Sequence, residues 1–258
     1  MDAKIKKIVR TLQSELPFVK EAKVKFYLHA RRLLHQPHDA DFKAVSFIPP
    51  SAQGCYIDVG ANQGQSIESI LRYKPEGEIV SFEANPQLAQ KLGTRYQGRE
   101  NIRIVPKGLS DKAGRFTLFV PSYKGFVYDA LGSLDRDAAA SWISDQTVLY
   151  FDAAKLSISQ VECEVDTLDM QHLAPVFIKL DVEGYEYNVL HGGKETIRQY
   201  EPILLVERFR NDPRSVQLAE ELGYEEYFFD GTSLRKGSPR KGPNSFLITA
   251  KRARTLGE

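Results

Sequence analysis

The chain has 258 residues, of which 42% are hydrophobic and 27% are charged, and its formal net charge is +1. This composition is typical of a folded globular protein and excludes a disordered chain, a fibre and a chain whose overall charge attracts nucleic acid. Two cysteines exclude a disulfide scaffold, and no apolar run approaches the ~20 residues that span a bilayer. With no secretory signal at the N-terminus, we expect a cytoplasmic α/β protein.

The first 50 residues are predicted to form a basic helical extension. Residues 1–35 contain nine Lys or Arg and three Asp or Glu. Apolar residues recur at helical spacing before Pro17; they are Ile5, Ile8, Val9, Leu12 and Leu16. A second helix is predicted from about residue 18 to residue 34. We expect residues 1–16 to pack on the main domain or on a second subunit of a homo-oligomer, and the alternative is a peripheral contact with the anionic inner face of a membrane.

Residues 51–258 are predicted to form one domain with alternating strands and helices. The strand patterns are CYIDVG, EIVSFEA, NIRIVPKGL, VFIKLDVEG, PILLVER, YEEYFFD and SFLITAK. The helical patterns are NQGQSIESILRY, PQLAQKLGTRY, YEYNVLHGGKETIRQY and PRSVQLAEELG. Short apolar strands separated by helices predict a mainly parallel, seven-stranded sheet with helices on both faces.

An insertion interrupts this alternation at about residues 109–175, between the third and fourth core strands. RFTLFV and VECEVDTL are predicted to be extra strands. The stretch between them is long and rich in aromatic residues, with some helix expected around residues 136–144. A loop of this length in a compact domain is usually functional, so we expect it to contact a substrate.

A glycine-containing turn follows the first core strand. Its pattern, D-x-G-x-N-x-G, comprises Asp58, Gly60, Asn62 and Gly64. Glycine lets the backbone turn sharply and approach a ligand closely. The pattern differs from the G-x-G-x-x-G of dinucleotide binding, which favours a ligand without a pyrophosphate. The alternative is a plain turn between a strand and a helix.

A second ligand contact is predicted at the end of the next strand, in SFEANP. Glu83 can accept hydrogen bonds from both hydroxyls of a ribose, and Ala84, which follows it, is a further candidate contact with this ligand. The alternative is a carboxylate that caps the following helix, which begins near Pro86. Ser110 and Asp111 are candidates for the adenine edge or for a tight turn. Together with the glycine turn, Glu83 indicates an adenosyl ligand.

Six segments of the sequence together resemble the FkbM-type family of S-adenosylmethionine-dependent methyltransferases. They are YIDVGANQGQ, SFEANP, NIRIVPKGLSDKAGRFTLFV, VDTLD, FIKLDVEGYEYNVLHGG and ILLVER, between about residues 55 and 210. The K-x-D-V-E-G-x-E block from Lys179 to Glu186 is the most specific of these motifs. The resemblance implies a class I methyltransferase (Rossmann-like) fold, S-adenosylmethionine as cofactor, and methyl transfer to a hydroxyl of a small molecule or glycan.

Charged residues at the ends of the fourth and fifth strands are the candidates for catalysis. An alcohol oxygen needs a base or a metal to become a good nucleophile. Asp181 or Glu183 is the candidate base, with Lys179 and Glu207 holding the geometry, and Asp181 is also a candidate donor contact. Helix capping or a buried ion pair is the alternative for any one of them. Because Lys179 lies among the carboxylates, we expect no metal.

The candidate contacts for the acceptor are mostly aromatic and lie in or near the insertion. They are Tyr123, Tyr128, Trp142 and His191. His191 is more often a helix C-terminal residue than a base. In HQPHDAD, residues 35–41, a solvated linker is favoured over a metal site.

The sequence disfavours three other functions. A nucleotide-dependent oxidoreductase is disfavoured by Asn62, which stands where the glycine fingerprint should continue. A nucleic-acid methyltransferase is disfavoured because D-V-E-G occupies the place of a D-P-P-Y-like motif. An adaptor that keeps the fold without catalysis is disfavoured by the intact Glu83 and Asp181.

Overall fold

A computed structural model describes residues 7–8, 10–12, 36–50, 52–238 and 242–256 of the chain. Residues 7, 8 and 10–12 are helical, as predicted for the start of the chain. The second predicted helix, residues 18–34, lies outside the described residues, as do Ile5, Val9 and Leu16. Among the described residues, no helix is both long enough and apolar enough to cross a membrane.

The main sheet contains the seven predicted strands and one more. Its strands are β1 (Cys55–Val59), β2 (Ile79–Phe82), β3 (Ile102–Val105), β8 (Pro175–Leu180), β9 (Ile203–Glu207), β10 (Tyr224–Phe229), β11 (Leu234–Lys236) and β12 (Asn244–Thr249). Their order is β11-β10-β12-β9-β8-β1-β2-β3. The five strands from β3 to β9 pair in parallel, while β12 is antiparallel to its neighbours. The short β11 forms a hairpin with β10 and is the additional strand.

A second sheet is built from the insertion. Its strands are β4 (Gly108–Leu109), β5 (Gly114–Tyr123), β6 (Phe126–Val127) and β7 (Leu156–Asp166), in the order β4-β7-β5-β6. β5 and β7 pair along ten residues, from Gly114 opposite Val165 to Tyr123 opposite Leu156. The third predicted strand is therefore divided. Pro106, which has no N–H to donate, separates β3 in the main sheet from β4 in the second.

Helices cover both faces of the main sheet, which confirms the predicted α/β class. They are α1 (Gln65–Tyr73), α2 (Pro86–Arg95), α4 (Glu186–His191), α5 (Lys194–Tyr200), α6 (Pro213–Glu221) and α7 (Ala250–Thr255), while α3 (Arg136–Ser141) packs on β5 and β7 of the second sheet. α1, α2 and α7 pack in one hydrophobic cluster with Tyr56 and Phe177. α4, α5 and α6 pack in the other with Ile57 and Ile178. Neighbouring strand residues thus point to opposite faces, as the period of a β-strand requires.

The helix predicted over residues 185–200 is two helices. α4 ends at His191 and is capped by Gly192, and α5 begins after Gly193. A Cβ atom on Gly192 would lie 2.0 Å from the backbone oxygen of Ser110. The close contact between these two segments therefore requires glycine at position 192.

Candidate active site

Two cavities lie side by side at the carboxyl ends of the parallel strands. The first, about 170 Å³, is lined by residues that include Glu83, Ala84, Leu109, Ser133, Glu183 and Tyr185. The second, about 260 Å³, is lined by residues that include His38, Asp39, Ser66, Lys179, Leu205 and Asn244. Gly60, Asn62, Asp181 and Glu207 line both. This edge of the sheet is where open α/β folds bind their ligands.

The glycine turn packs tightly against the end of β8. Gly60 has a φ of 85°, and a Cβ atom there would lie 2.0 Å from the backbone oxygen of Asp181. The turn then carries Asn62 into the wall common to the two cavities. Its Oδ1 atom is buried and has no hydrogen-bond partner among the described residues. Because buried polar atoms normally have partners, Asn62 is suited to accept a hydrogen bond from a ligand.

Glu83 is buried at the end of β2 and already accepts two backbone hydrogen bonds. Asn62 N donates to its Oε2 at 2.7 Å, and Asn85 N donates to its Oε1 at 2.8 Å. Burial raises its pKa, and the two backbone donors oppose that change. A carboxylate has about four acceptor positions, so two remain for a ribose. The cap of α2 is Asn85, whose side chain accepts from Gln87 N, rather than Glu83 itself.

Lys179 pairs with one carboxylate beneath the cavities, Asp58, and with one in their common wall, Asp181. Its Nζ lies 3.4 Å from Asp58 Oδ1 and 3.3 Å from Asp181 Oδ2, and it donates to the Gly60 oxygen at 3.1 Å. Asp58 is fully buried, accepts a hydrogen bond from Ser81 and lines neither cavity. Although burial lowers the pKa of Lys179, Asp181 and Asp58 outweigh it and raise the pKa, so the lysine stays charged. Asp58 therefore supports the site from beneath.

Asp181 and Glu207 form a hydrogen-bonded carboxyl pair in the wall common to both cavities. Burial and the hydrogen bond to Asp181 raise the pKa of Glu207 to about 8. For Asp181, burial acts in the same direction, but the Lys179 charge and the bond to Glu207 lower its pKa overall. The two carboxyls share one proton at neutral pH because two like charges in contact in a half-buried site repel each other. The proton is held by Glu207.

Glu183 is paired with an arginine that the sequence patterns did not single out. Arg208 Nη1 donates to Glu183 Oε2 at 2.8 Å. The guanidinium carbon lies 5.0 Å from the centre of the Trp142 ring. Burial raises the pKa of Glu183, and the arginine opposes that change. Trp142 is thus brought near the rim of the first cavity through Arg208.

Several predicted contacts lie outside both cavities. Gly64 precedes α1 with a φ of 81° and packs on Tyr96. Ser110 is buried and donates to Asp111, which also accepts from Asn188. These two residues connect the end of β4 to α4. This arrangement fits the alternative interpretation of a tight turn rather than a contact with adenine.

Three predicted acceptor contacts have other neighbours in the structure. Tyr123 is fully buried inside the insertion and stacks on Phe151. Tyr128 is buried in the same cluster and donates to the Arg10 oxygen at 3.3 Å. His191 ends α4 and lies against Tyr187. Their proposed contacts with an acceptor therefore depend on a rearrangement of these surroundings.

The structure adds polar residues that sequence reasoning missed. Asp129, Ser133 and Tyr185 line the first cavity, and His38, Asp39 and Asn244 line the second. The only signal for His38 and Asp39 was the HQPHDAD segment, interpreted as a linker. Asn244 joins that segment to β12, because its Nδ2 donates to both Asp39 and Asp41. Within the ranges that the structure describes, no group of three or more His, Cys, Asp or Glu is arranged to hold a metal.

Comparison with known proteins adds a family match. The family described as "Methyltransferase FkbM domain" matches residues 58–228, which is well over half of the chain. A curated relative, 2-O-methyltransferase NoeI of Sinorhizobium fredii, is 23% identical over 147 residues. The match covers 55% of this chain and 58% of that protein, so the chain spans little more than half the length of this relative.

Two solved structures are also similar. One is methyltransferase FkbM from Methylobacillus flagellatus, with a TM-score of 0.47 and 16% identity over 76% of this chain and 44% of that chain. The other is precorrin-6y C5,15-methyltransferase from Geobacter metallireducens, with a TM-score of 0.36 and 14% identity over 80% of this chain and 83% of that chain.

Proposed function

The chain belongs to the FkbM methyltransferase family, and on that premise we propose that it transfers a methyl group from S-adenosylmethionine to a hydroxyl of a small molecule or glycan. The observation that carries the proposal is the Asp181–Glu207 pair in the wall common to both cavities. An alcohol is a weak nucleophile until a base accepts its proton. The name of the Sinorhizobium relative, a 2-O-methyltransferase, supports oxygen as the methylated atom.

Three residues are suited to hold the donor. Glu83 would accept hydrogen bonds from the ribose hydroxyls, and Asn62 Oδ1 would accept one from an N–H or O–H group of the donor. Asp181, kept ionised by Lys179, faces both cavities and complements a positive charge between them. When bound, S-adenosylmethionine would supply a methyl group on a positively charged sulfur that leaves with the bonding electrons. The residues present therefore fit this cofactor.

The carboxyl pair would act as the base. At neutral pH it holds one proton, on Glu207, and this proton is lost near pH 8. The fully ionised pair then accepts the proton of the acceptor hydroxyl as the oxygen forms its new bond to carbon. Proximity and alignment of the two reactants add a further contribution that can reach ~7–11 kcal/mol. Asp129, Ser133 and Tyr185 supply hydrogen-bonding groups for a hydroxyl-bearing acceptor in the first cavity.

Two measurements test the proposal. Calorimetric titration with S-adenosylmethionine, S-adenosylhomocysteine and NADH should give binding of the first two alone. Incubation with methyl-labelled donor and fractionated small molecules or glycans should then give label that resists mild base, as an ether does. Binding of NADH alone would support an oxidoreductase. Binding of none of the three would support a non-catalytic adaptor.

A further inference from the structure

Arg208 contacts two carboxylates of the site and an aromatic ring of the insertion. Its Nη1 lies 2.8 Å from Glu183 Oε2, and its Nε lies 3.6 Å from Glu207 Oε1. Its guanidinium carbon lies 5.0 Å from the centre of the Trp142 ring. The arginine side chain is 37% exposed, while those of Glu183 and Glu207 are only 20% and 22% exposed. One planar side chain therefore joins the candidate acid–base pair to the insertion.

The backbone on both sides of this ion pair is unusual. Glu183 has a φ of 49° and Arg208 a φ of 53°, so both non-glycine residues are left-handed. Such residues persist where the surrounding structure holds them, and they are concentrated at functional sites. Here the two left-handed residues follow neighbouring parallel strands, and their side chains bind each other. One ion pair thus joins the segments that follow the two strands.

Trp142 is anchored independently of Arg208. Its carbonyl oxygen accepts from Thr147 Oγ1 at 2.9 Å and from Arg10 Nη1 at 3.4 Å. The same insertion contributes Asp129 and Ser133 to the first cavity. If the Arg208 guanidinium moves relative to the Trp142 ring, the carboxylates that it binds therefore move relative to the part of the insertion that lines the first cavity.

We propose that Arg208 is a positioning residue that couples the insertion to the ionisation of the Asp181–Glu207 pair. When the pair loses its proton, Glu207 attracts the guanidinium more strongly and draws it away from Glu183 and Trp142. The other groups that face Glu207 are Asp181, Glu183 and, across the second cavity, His38, Asp39 and Lys179. The catalytic meaning of this coupling rests on the proposed function, but the coupling itself requires no methyl transfer.

The chain contains a single tryptophan, so its fluorescence reports on Trp142 alone. Tryptophan emission of the full chain, excited selectively and titrated with alkali, should show a transition with a midpoint near pH 8. Glu207→Gln should abolish it. Arg208→Lys should also abolish it, because an ammonium cannot both form the planar contact with the ring and reach two carboxylates.

Arg214→Lys is the matched control. Arg214 also pairs with a carboxylate, Asp212, and lies over an aromatic ring, Tyr187, at 4.2 Å, but neither of these partners lines a cavity, whereas Glu183 and Glu207 do. This variant should keep the transition of the unmodified chain. A transition that survives unchanged in folded Arg208→Lys would overturn the proposal.

A second measurement covers the case in which Arg208→Lys does not fold. Carboxyl carbon NMR of Glu207 should give a lower titration midpoint in Trp142→Leu, because the guanidinium no longer gives up a ring contact when it moves towards ionised Glu207. An unchanged midpoint would overturn the coupling. Neither measurement uses an acceptor, so intact coupling without methyl transfer would remove only the proposed function, and methyl transfer without coupling would remove only the role of Arg208.

Discussion

At the scale of single residues, Glu83 has two tasks at the end of β2. It orders the glycine turn through Asn62 N and is proposed to bind the donor ribose. We expect Glu83→Ala to weaken S-adenosylmethionine binding by roughly 1.5–3 kcal/mol, the usual contribution of hydrogen bonds to a charged group. Calorimetry on a variant with an unchanged melting temperature measures this loss.

Glu83→Gln separates the two tasks, since it keeps the shape of the side chain but not its charge. Glu195→Gln is the control, because Glu195 lies on α5 with a 74% exposed side chain. Unchanged donor affinity in folded Glu83→Ala would remove the ribose contact. A loss limited to Glu83→Ala would assign the effect to the turn.

The carboxyl pair makes a prediction about pH. Asp181→Asn and Glu207→Gln should each lower turnover by about 10²–10⁴-fold, and donor binding should persist in Glu207→Gln. In the unmodified chain the rate should rise with pH up to about 8, as the pair loses its proton. Full turnover in both variants would move the base elsewhere, with Glu183 the next candidate. A pH–rate profile together with donor titration measures both quantities.

The same raised pKa has a consequence for stability. Glu207 binds its proton more tightly in the folded chain than in the unfolded chain, where a glutamate titrates near ~4.3. Its protonated form therefore stabilises the fold below that pH, and this contribution is lost as the pH rises through about 8. Above pH 8, Glu207→Gln should unfold at a higher urea concentration than the unmodified chain. An equal or lower midpoint at that pH would contradict the assignment of the proton.

Lys179 leads to a prediction about metals. Its ammonium lies 3.3 Å from Asp181 Oδ2 and neutralises the carboxylate that would otherwise attract a metal ion. We expect turnover to be unchanged after treatment with a strong chelator. Loss of turnover that magnesium restores, and that calcium does not, would show that a metal works with the carboxyl pair.

At the scale of elements, strands were predicted better than the contacts between them. β1 and β8 are buried along their whole length, so their apolar runs were unambiguous. The division of the third strand at Pro106 depended on β7, which lies more than 50 residues further along the chain and offers β4 a partner. The break between α4 and α5 depended on the backbone of Ser110. Local periodicity contains no information about such distant partners.

In the candidate site, too, residues at strand ends were predicted from local pattern, while contacts with distant segments were not. Asp181, Glu207 and Glu83 end predicted strands, and parallel topology alone brings their positions to one edge of the sheet. Arg208 was missed because its role comes from Trp142, in a segment without a recognisable pattern. Tyr123 was predicted to contact the acceptor because the insertion is rich in aromatic residues. Its position in β5 instead places it in the core of the insertion.

The contact between the ends of β1 and β8 is itself testable. A Cβ at Gly60 would lie 2.0 Å from the Asp181 oxygen, so Gly60→Ala must move one strand end. Gly98→Ala is the matched control, because Gly98 has a similar φ of 82° but a Cβ atom there would meet nothing within 4 Å. We expect Gly98→Ala to cost about 1–2 kcal/mol through backbone strain alone.

Gly60→Ala should cost roughly a further 1–3 kcal/mol, as overpacked sites do, and should abolish donor binding. Urea unfolding midpoints and calorimetry measure the two effects. Equal stability losses in the two variants would mean that the strand ends do not depend on this contact.

At the scale of the whole molecule, the start of the chain packs on the insertion. Lys7 donates to the Asp145 oxygen and Arg10 to the Trp142 oxygen, while Leu149 N donates to Thr11 Oγ1. A membrane-bound helix would instead use its basic side chains to attract anionic lipid, at about 1 kcal/mol for each. Ile8 and Leu12 are 48% and 58% exposed, which keeps a lipid surface or a second subunit as the alternative.

These contacts predict the outcome of a sedimentation experiment. Because Lys7 and Arg10 are engaged with backbone oxygens of the insertion, we expect the full chain to remain in the supernatant with anionic liposomes at low salt. A chain without residues 1–16 should do the same, but it should melt at a lower temperature because the insertion loses these hydrogen bonds. Sedimentation of the full chain alone, reversed at high salt, would instead establish electrostatic binding to lipid through this helix. If only the full chain elutes as a dimer in gel filtration, its exposed apolar residues pack on a second subunit.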